Sequence, residues 1–191
     1  DLEKFSKALE AYRRLDFGPF AHPARQRIEE LERKSLVLRT ERIFRTDETP
    51  AVKISTRNIE KLEFRAWSVD LEAYFRRMHT ADGVQDLDVP LIEPEHVWTV
   101  TFDPYEPYRE IERDVELPIQ GAGVWAVNCT GGDLEATTVA VRSDLALIIK
   151  ASRENFLVFA VNQRTGQPVE GAQVGLLRAD LLERFHAVGG G

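Results

Sequence analysis

The sequence predicts a mainly β protein: an antiparallel β-sandwich preceded by two helices and followed by the first strands of another β unit. From Ser35 onward, apolar and polar residues alternate with a period of two, as in strands with one buried and one solvated face. Seven such segments fall within residues 35–142, a length and strand number typical of fibronectin-like or immunoglobulin-like sandwiches. The predicted strands are 36–44, 51–56, 61–69, 97–102, 109–119, 124–129 and 135–141.

Composition excludes several classes of protein. The chain has 191 residues, a hydrophobic content of 43% and a net charge of -7, and its basic residues form no continuous stripe. A nucleic-acid partner is therefore not expected, because binding to phosphates requires clustered Lys and Arg. No segment approaches the roughly 20 apolar residues of a membrane-spanning helix. We also expect no cofactor.

Two short helices are predicted at the start of the chain. Residues 2–15 place apolar side chains at helical spacing and end before a Phe-Gly-Pro turn, and residues 24–34 continue as a second amphipathic helix. Residues 1–34 therefore form a predicted helical hairpin. The pattern is similar to the last helices of a tetratricopeptide-like array.

An insertion at about residues 70–96 interrupts the sandwich. Asp70 is placed to cap a helix over residues 71–79, and a polar, acidic loop then leads to the fourth strand. Loops of this length are often functional. An insertion that recognises a partner is therefore one of two hypotheses for what the chain does.

A second β unit is predicted over residues 143–191. The joint at residues 142–144 has neither Gly nor Pro, so we expect neighbouring units to be held at a fixed angle. Apolar residues alternate from Leu145, a nearly continuous apolar strand follows from Phe156, and a third strand is predicted at residues 172–177. The tail is predicted to be helical up to Phe185.

Metal binding at the insertion is not expected. The loop carries Asp82, Asp86 and Asp88, but their order does not match the calcium loop of an EF-hand. His79 and His96 flank the same loop and could meet two of these carboxylates, yet exposed histidines are the simpler interpretation.

The remaining candidates also favour structural roles. Glu93 and Glu95 flank a proline without any neighbour that would make them a general acid and base. The single cysteine, Cys129, alternates with apolar residues and is predicted to be a buried strand residue. It lies in an Asn128-Cys129-Thr130 glycosylation pattern, which we interpret as fortuitous.

Three tryptophans and four glycines complete the candidate set. Trp67, Trp98 and Trp125 lie on separate predicted strands, which favours core packing over a ligand platform. The glycines are spaced like turns between strands, and no helix follows them to bind phosphate. They are Gly121, Gly123, Gly131 and Gly132. No catalytic, cofactor-binding or metal-binding residue is therefore predicted.

Three separated stretches resemble the macroglobulin-type domains of bacterial α2-macroglobulin-like proteins. They are the RNIEKLEFRAWSVDLEAY strand, the LPIQGAGVWAV corner, and the SDLALIIK segment with FLVFAVNQRTGQPVEGAQV after it. Together they cover roughly residues 36–177. The resemblance implies a string of fibronectin-like sandwiches in an envelope protein, periplasmic or extracellular, that traps proteases.

The functional parts of that family do not map onto this sequence. Cys129 is followed by Thr-Gly-Gly, so no residue of the Cys-Gly-Glu-Gln thioester can be carried over, and no bait segment is found. The family's Tyr-x-Pro-Gly-Glu turn is replaced by Phe-Arg-Thr-Asp-Glu at residues 44–48, which indicates a divergent member. The implied function is therefore a non-enzymatic scaffold whose partners are neighbouring macroglobulin-like domains and, for the full protein, proteases. The alternative is an immunoglobulin-like binding or adhesion module that uses the insertion.

Overall fold

A computed structural model describes residues 2–15, 17–73, 93–152, 155–178 and 181–186. Over these residues the chain forms two helices, a seven-stranded sandwich and two β-hairpins, which confirms the predicted fold class. The elements are α1 (Leu2–Arg13), α2 (Ala21–Glu32), β1 (Ser35–Arg39), β2 (Ala51–Arg57), β3 (Lys61–Ser68), β4 (His96–Thr101), β5 (Glu110–Glu116), β6 (Gly123–Gly131), β7 (Leu134–Arg142), β8 (Leu145–Ala151), β9 (Phe156–Asn162), β10 (Gln173–Arg178) and β11 (Leu181–His186).

The sandwich consists of two antiparallel sheets. One has the strand order β1-β2-β5 and the other has the order β4-β3-β6-β7. The fourth strand pairs with the third, with Phe64 opposite Trp98, instead of joining the first sheet. This arrangement differs from the constant-type immunoglobulin sandwich, in which the fourth strand lies in the sheet of the first two.

The core lies between the sheets and follows the alternation of the sequence. Val52 and Ile54 of β2 face Leu62 and Phe64 of β3, and all four are almost completely buried. The Phe64 ring stacks on that of Trp98, with centroids 5.1 Å apart and an interplanar angle of 14°. Aromatic stacking of this kind adds to the free energy gained by burial of apolar area.

The chain closes one side of the sandwich after β1. The predicted strand 36–44 ends at Arg39, and Phe44 then forms a parallel bridge with Arg142 at the end of β7. Between them, the hydroxyl groups of Thr40 and Thr138 lie 3.2 Å apart. The segment therefore leaves the first sheet and borders the second, so β1 and β7 meet on this side.

Two adjacent glycines lie where β6 turns into β7: Gly131 is the last residue of β6 and pairs with Leu134, and Gly132 begins the two-residue turn. Gly132 has a φ of 62°, a conformation that side chains with a Cβ rarely adopt. Gly131 is needed for a different reason: a Cβ there would lie 2.5 Å from Leu62 Cδ2 and 2.8 Å from Ile59 Cγ2. The prediction of a turn here is confirmed for Gly132, whereas Gly131 is a strand residue.

Asn58 attaches the helical hairpin to the sandwich. Its Nδ2 donates to the carbonyl oxygens of Leu31 at 2.7 Å and Arg33 at 3.0 Å, and its Oδ1 accepts from the Tyr108 amide at 2.6 Å. The helix α2 begins at Ala21, three residues before the predicted start, because a proline in the first turn loses no intrahelical hydrogen bond.

The prediction of a helical tail was wrong. Residues Leu181–His186 form a strand, β11, that pairs antiparallel with β10 from Gln173↔His186 to Arg178↔Leu181. Helix propensity is a weak preference, and pairing with an adjacent strand overrides it here. A second pair, β8 with β9, forms a separate two-stranded sheet.

The start of the insertion agrees with the prediction. The amide of Ala73 donates to Asp70 Oδ1 at 3.0 Å, as an N-cap requires, and residues 71–73 are helical. The rest of the predicted helix and most of the loop lie outside the described residues.

Candidate functional site: the joint between sandwich and hairpins

The joint is the contact of residues 142–144 with the turn at residues 44–48. Phe44 is buried, its amide donates to the Val141 carbonyl at 2.9 Å, and its carbonyl accepts from the Ser143 amide at 2.8 Å. The Arg42 guanidinium covers the Phe44 ring at 4.4 Å. The turn is therefore bonded to the chain at the point where it leaves the sandwich.

Arg142 is the buried centre of the joint. Its Nη2 donates to the carbonyl oxygens of Thr46 at 2.7 Å and Glu48 at 3.1 Å, and its Nη1 donates to that of Ile119 at 3.2 Å. Only 7% of the residue is exposed. Its two Nη groups thus bind three carbonyl groups from two separate segments, whereas its buried Nε has no hydrogen-bond partner among the described residues.

Asp144 binds the same turn from the other side. Its Oδ1 accepts from the Thr46 amide at 2.8 Å, and its Oδ2 accepts from the Thr46 hydroxyl at 2.5 Å. These two hydrogen bonds lower the pKa of the Asp144 carboxyl, and the positive charges of Arg164 and Arg45 lower it further. The side chain is therefore an ionised acceptor at neutral pH.

Arg164 brings the turn after β9 to the joint. Its guanidinium lies 3.6 Å from Asp144 Oδ2 and 3.7 Å from Asp47 Oδ2, and the neighbouring Gln163 amide donates to the Asp144 carbonyl at 2.7 Å. The ion pairs are half-exposed, so each contributes little to stability. The joint thus has a buried half around Arg142 and a solvated half around Asp144.

The polar groups of the joint hold segments of the chain together. Arg142 binds backbone carbonyls, Asp144 binds the amide and the hydroxyl of Thr46, and Arg164 pairs with two carboxylates. In the part of the chain that the structure describes, no group of three His, Cys, Asp or Glu side chains is arranged to hold a metal ion.

Of the candidate metal ligands at the insertion, the structure describes only His96. His79, Asp82, Asp86 and Asp88 lie outside the described residues. His96 is half-buried, and its ring packs against that of Trp125 with centroids 5.6 Å apart.

The two glutamates before β4 differ in their contacts. Glu95 accepts from the Ser68 amide at 3.0 Å and from the Ser68 hydroxyl, and these hydrogen bonds lower the pKa of its carboxyl. The Glu95 amide also donates to the Ala66 carbonyl. Ala66 is at the same time the pairing partner of His96, so two residues of one strand lie opposite one residue of the other, as in a β-bulge. Glu93 is exposed. A general acid would need a raised pKa, so the Glu95 carboxylate is placed as a structural acceptor.

Asn128 and Cys129 lie inside the sheet. The side-chain Nδ2 of Asn128 donates to Glu135 Oε1 at 2.6 Å and to the Thr137 hydroxyl at 3.0 Å, and the residue is 5% exposed. Cys129 is fully buried, and burial raises the pKa of its thiol to about 12. The glycosylation pattern is therefore not presented to solvent, and the prediction of a buried strand cysteine is confirmed.

The tryptophans are core residues, with one refinement. Trp125 belongs to the main core and Trp98 packs against it. Trp67 is also buried, but it packs with Ala126 and Val69 in a second cluster. Because its neighbour Ala66 faces the main core, Trp67 projects from the opposite face of the sheet. No pattern in the sequence indicates that this face is covered.

The sequence analysis located the joint at residues 142–144 but missed the contacts that these residues make with the turn at residues 44–48. The alternation of residues along β7 could have indicated the role of Arg142. Ala136, Ala140 and Arg142 share one face of the strand, and an arginine on the face that points into the core requires buried hydrogen-bond acceptors. The contacts of Thr46 with Asp144 join residues 98 positions apart, which no local pattern reveals.

The fold is an antiparallel sandwich of seven strands that continues through the joint into further strands. The chain is similar to a crystal structure of native alpha-2-macroglobulin from Escherichia coli that spans domains MG0-NIE-MG1, with 13% identity, a TM-score of 0.64, and coverage of 80% of this chain and 54% of that one. A second crystal structure of that protein, spanning NIE-MG1, has 13% identity and a TM-score of 0.59 and covers 81% of this chain and 83% of that one.

These similarities confirm the family resemblance at the level of the fold. The chain spans about half the length of the larger Escherichia coli fragment. The sequence matches no protein-family model, and it matches no curated protein sequence at a significant level. No helix among the described residues is long and apolar enough to cross a membrane.

Proposed function

We propose that this chain is a non-catalytic structural segment of an alpha-2-macroglobulin-like protein of the bacterial cell envelope, where it supports the trapping of proteases. The main support for this proposal is the extent of the structural similarity to the Escherichia coli protein. It covers 80% of this chain, a larger share than the sandwich of residues 35–142 makes up by itself. A string of units in the same arrangement is what a scaffold of this class requires.

The proposal assigns a helical hairpin to residues 1–34, one macroglobulin-like sandwich to residues 35–142 and the beginning of a second to residues 143–191. Its direct partners are the neighbouring domains of the same polypeptide, and proteases are targets of the full-length protein. The envelope location, periplasmic or extracellular, follows from the same resemblance and is part of the proposal.

The mechanism is mechanical. The joint connects the sandwich to the next β unit through Arg142, Asp144 and Arg164, all of which contact the turn at residues 44–48. A joint of this kind holds consecutive units at one angle. Capture elements elsewhere in the polypeptide are thereby kept at defined distances, and a change at one unit is passed to the next.

The experiment uses the complete gene product. It is incubated with an endoprotease, and hydrolysis of a large protein substrate is compared with hydrolysis of a small peptide. Enclosure protects the large substrate alone. We expect enclosure with the wild-type protein, less with a variant carrying both Arg142→Met and Asp144→Asn, and no change with the exposed-site control Arg39→Met. A wild-type protein that leaves both substrates equally cleaved contradicts the proposal.

The alternative, a binding or adhesion module that uses the insertion at residues 70–96, stays a prediction because most of the insertion lies outside the described residues. The same experiment separates the two. Proteolysis confined to residues 82–96, without any enclosure, would favour the binding module.

A further inference from the structure

The outer edge of β4 has no strand paired with it among the described residues. The Phe102 amide donates to the Glu60 carbonyl at 3.0 Å, so Phe102 and Glu60 form a hydrogen-bonded pair. Hydrogen-bonded pairs recur at every second residue, so the amide and carbonyl groups of residues 96, 98 and 100 also point towards β3. The amide and carbonyl groups of Val97, Thr99 and Thr101 therefore point away from β3. Among the described residues no strand pairs with them.

This edge has no charged side chain along its free positions. Val97 is 58% exposed, and Thr99 and Thr101 are exposed as well. Natural sheets protect free edges with charged residues or proline, and an uncharged, extended edge is a template for another strand. Three residues offer up to about six backbone hydrogen bonds.

The corresponding edge of the other sheet is protected. Leu117 donates to the Pro50 carbonyl at 2.8 Å, which places the outward groups of β5 at Glu110, Glu112, Asp114 and Glu116. All four side chains are exposed carboxylates. Pairing of β5 with a copy of itself would bring like charges together, which is unfavourable.

Both edges lie on the same side of the sandwich. Because β1 and β7 meet on one side, β4 and β5 end the two sheets on the other. A cleft of about 370 Å³ lies there, between the end of β4 and the start of β5. Its lining residues include four acidic ones, Asp103, Glu106, Glu110 and Glu112, and two arginines, Arg109 and Arg113. The Glu110 carboxylate accepts a hydrogen bond from the Ser55 hydroxyl of β2. One guanidinium is paired: Arg109 lies 2.7 Å from Glu106.

We propose that the free edge of β4 and this acidic cleft bind an extended, basic segment of another protein by strand addition. The segment pairs with Val97, Thr99 and Thr101 through its backbone. Where the segment passes the end of β4, its Lys or Arg side chains meet the acidic residues of the cleft. This binding is independent of protease trapping, so either proposal can fail without the other.

A second copy of the chain is a poorer occupant. Two-fold pairing of β4 with β4 would also bring the β5 edges of both copies towards each other, each with four carboxylates. A basic strand instead gains from the acidic surroundings. The charge of the cleft thus selects a partner of opposite sign.

The test measures binding of a labelled heptapeptide that alternates lysine with valine, and of the same peptide with glutamate in place of lysine, by fluorescence anisotropy. The wild-type chain is expected to bind the lysine peptide at least about tenfold more tightly, with an affinity that falls as salt is added. Glu110→Gln combined with Glu112→Gln should reduce both the preference and the salt dependence.

Matched proline variants test the edge itself. Thr99→Pro removes an outward N–H without breaking the ladder to β3, and binding should weaken about tenfold. Asp114→Pro makes the same change on the β5 edge and should bind as the wild type does. Val97→Lys, at an exposed position, should also weaken binding of the lysine peptide and does not depend on tolerance of proline.

Three results would overturn the proposal. The first is equal binding of both peptides by the wild-type chain, and the second is unchanged binding by both Thr99→Pro and Val97→Lys. The third is a dimer in sedimentation velocity that Val97→Lys converts to a monomer, since a second copy would then occupy the edge.

Discussion

Arg142 Nη2 lies 2.7 Å from the carbonyl oxygen of Thr46, and this hydrogen bond joins the last strand of the sandwich to the turn after the first strand. The guanidinium is buried, and it also binds the carbonyls of Glu48 and Ile119. One side chain thus satisfies three backbone acceptors that would otherwise be unpaired at this end of the core.

The first prediction concerns this residue. Arg142→Met should lower the free energy of unfolding by about 3 kcal/mol, because hydrogen bonds to a charged group are lost and buried carbonyls are left unsatisfied. Urea unfolding followed by tryptophan fluorescence measures the change. Arg39→Met, at an exposed position of β1, should remain within about 0.5 kcal/mol of the wild type. Similar values for both variants would show that the buried contacts contribute nothing special.

The second prediction concerns pH. Hydrogen bonds from Thr46 lower the pKa of Asp144 below its ordinary value of 3.8. A group with a lowered folded pKa stabilises the protein above its unfolded pKa, and this contribution disappears as pH falls through the folded value. Asp144→Asn should therefore be less stable than the wild type at neutral pH, with a difference that shrinks as the pH falls below 3.8.

Urea unfolding across that range tests the sign. Glu112→Gln removes an exposed carboxylate outside the joint and is the control, which should lower stability at neutral pH less than Asp144→Asn does. A gap between the wild type and Asp144→Asn that widens on acidification would refute the assignment.

The third prediction concerns the close approach at Gly131. A methyl group there would collide with Leu62 Cδ2 and Ile59 Cγ2, so Gly131→Ala should cost about 1–3 kcal/mol through overpacking. Adding Leu62→Val should cost less than the sum of the single changes, because the shortened side chain removes one collision. Additive costs in thermal or urea unfolding would indicate another cause.

Gly166→Ala separates packing from backbone conformation. Gly166 has a φ of 70° and no neighbour within 4 Å of a Cβ placed there. Its substitution should cost about 1–2 kcal/mol from the left-handed conformation alone, and a change elsewhere in the core should not alter that cost.

The fourth prediction concerns Cys129. Its thiol is buried and has a pKa of about 12, so a thiol reagent should label the native chain only as fast as the chain unfolds. In denaturant one thiol per chain should react at once, since the sequence contains one cysteine. Rapid labelling under native conditions, at a rate independent of stability, would contradict the buried placement.

Most of the sandwich could be predicted from local pattern. Alternation located every strand from β2 to β7 to within a few residues, because burial of one face leaves a period of two in the sequence. The pattern predicted less well where the chain changes partner. The segment after Arg39 keeps its apolar residues, yet it leaves one sheet for the other at Phe44.

Local propensity misled at the end of the chain. Residues 178–186 contain good helix formers, but β11 pairs with β10 and is a strand. Pairing depends on a neighbour that single-residue preferences do not include.

The sequence by itself determined the mainly β class, the positions of most strands along the chain, the buried cysteine and the absence of a recognisable thioester motif. All of these depend on residue type and on the period of the apolar residues. Only the tertiary structure decided that Arg142, Asp144 and Arg164 meet one turn, and that β4 keeps an uncharged free edge beside an acidic cleft. The physical reason is that hydrogen bonds and charge clusters between residues about 100 positions apart depend on how the two sheets are brought together.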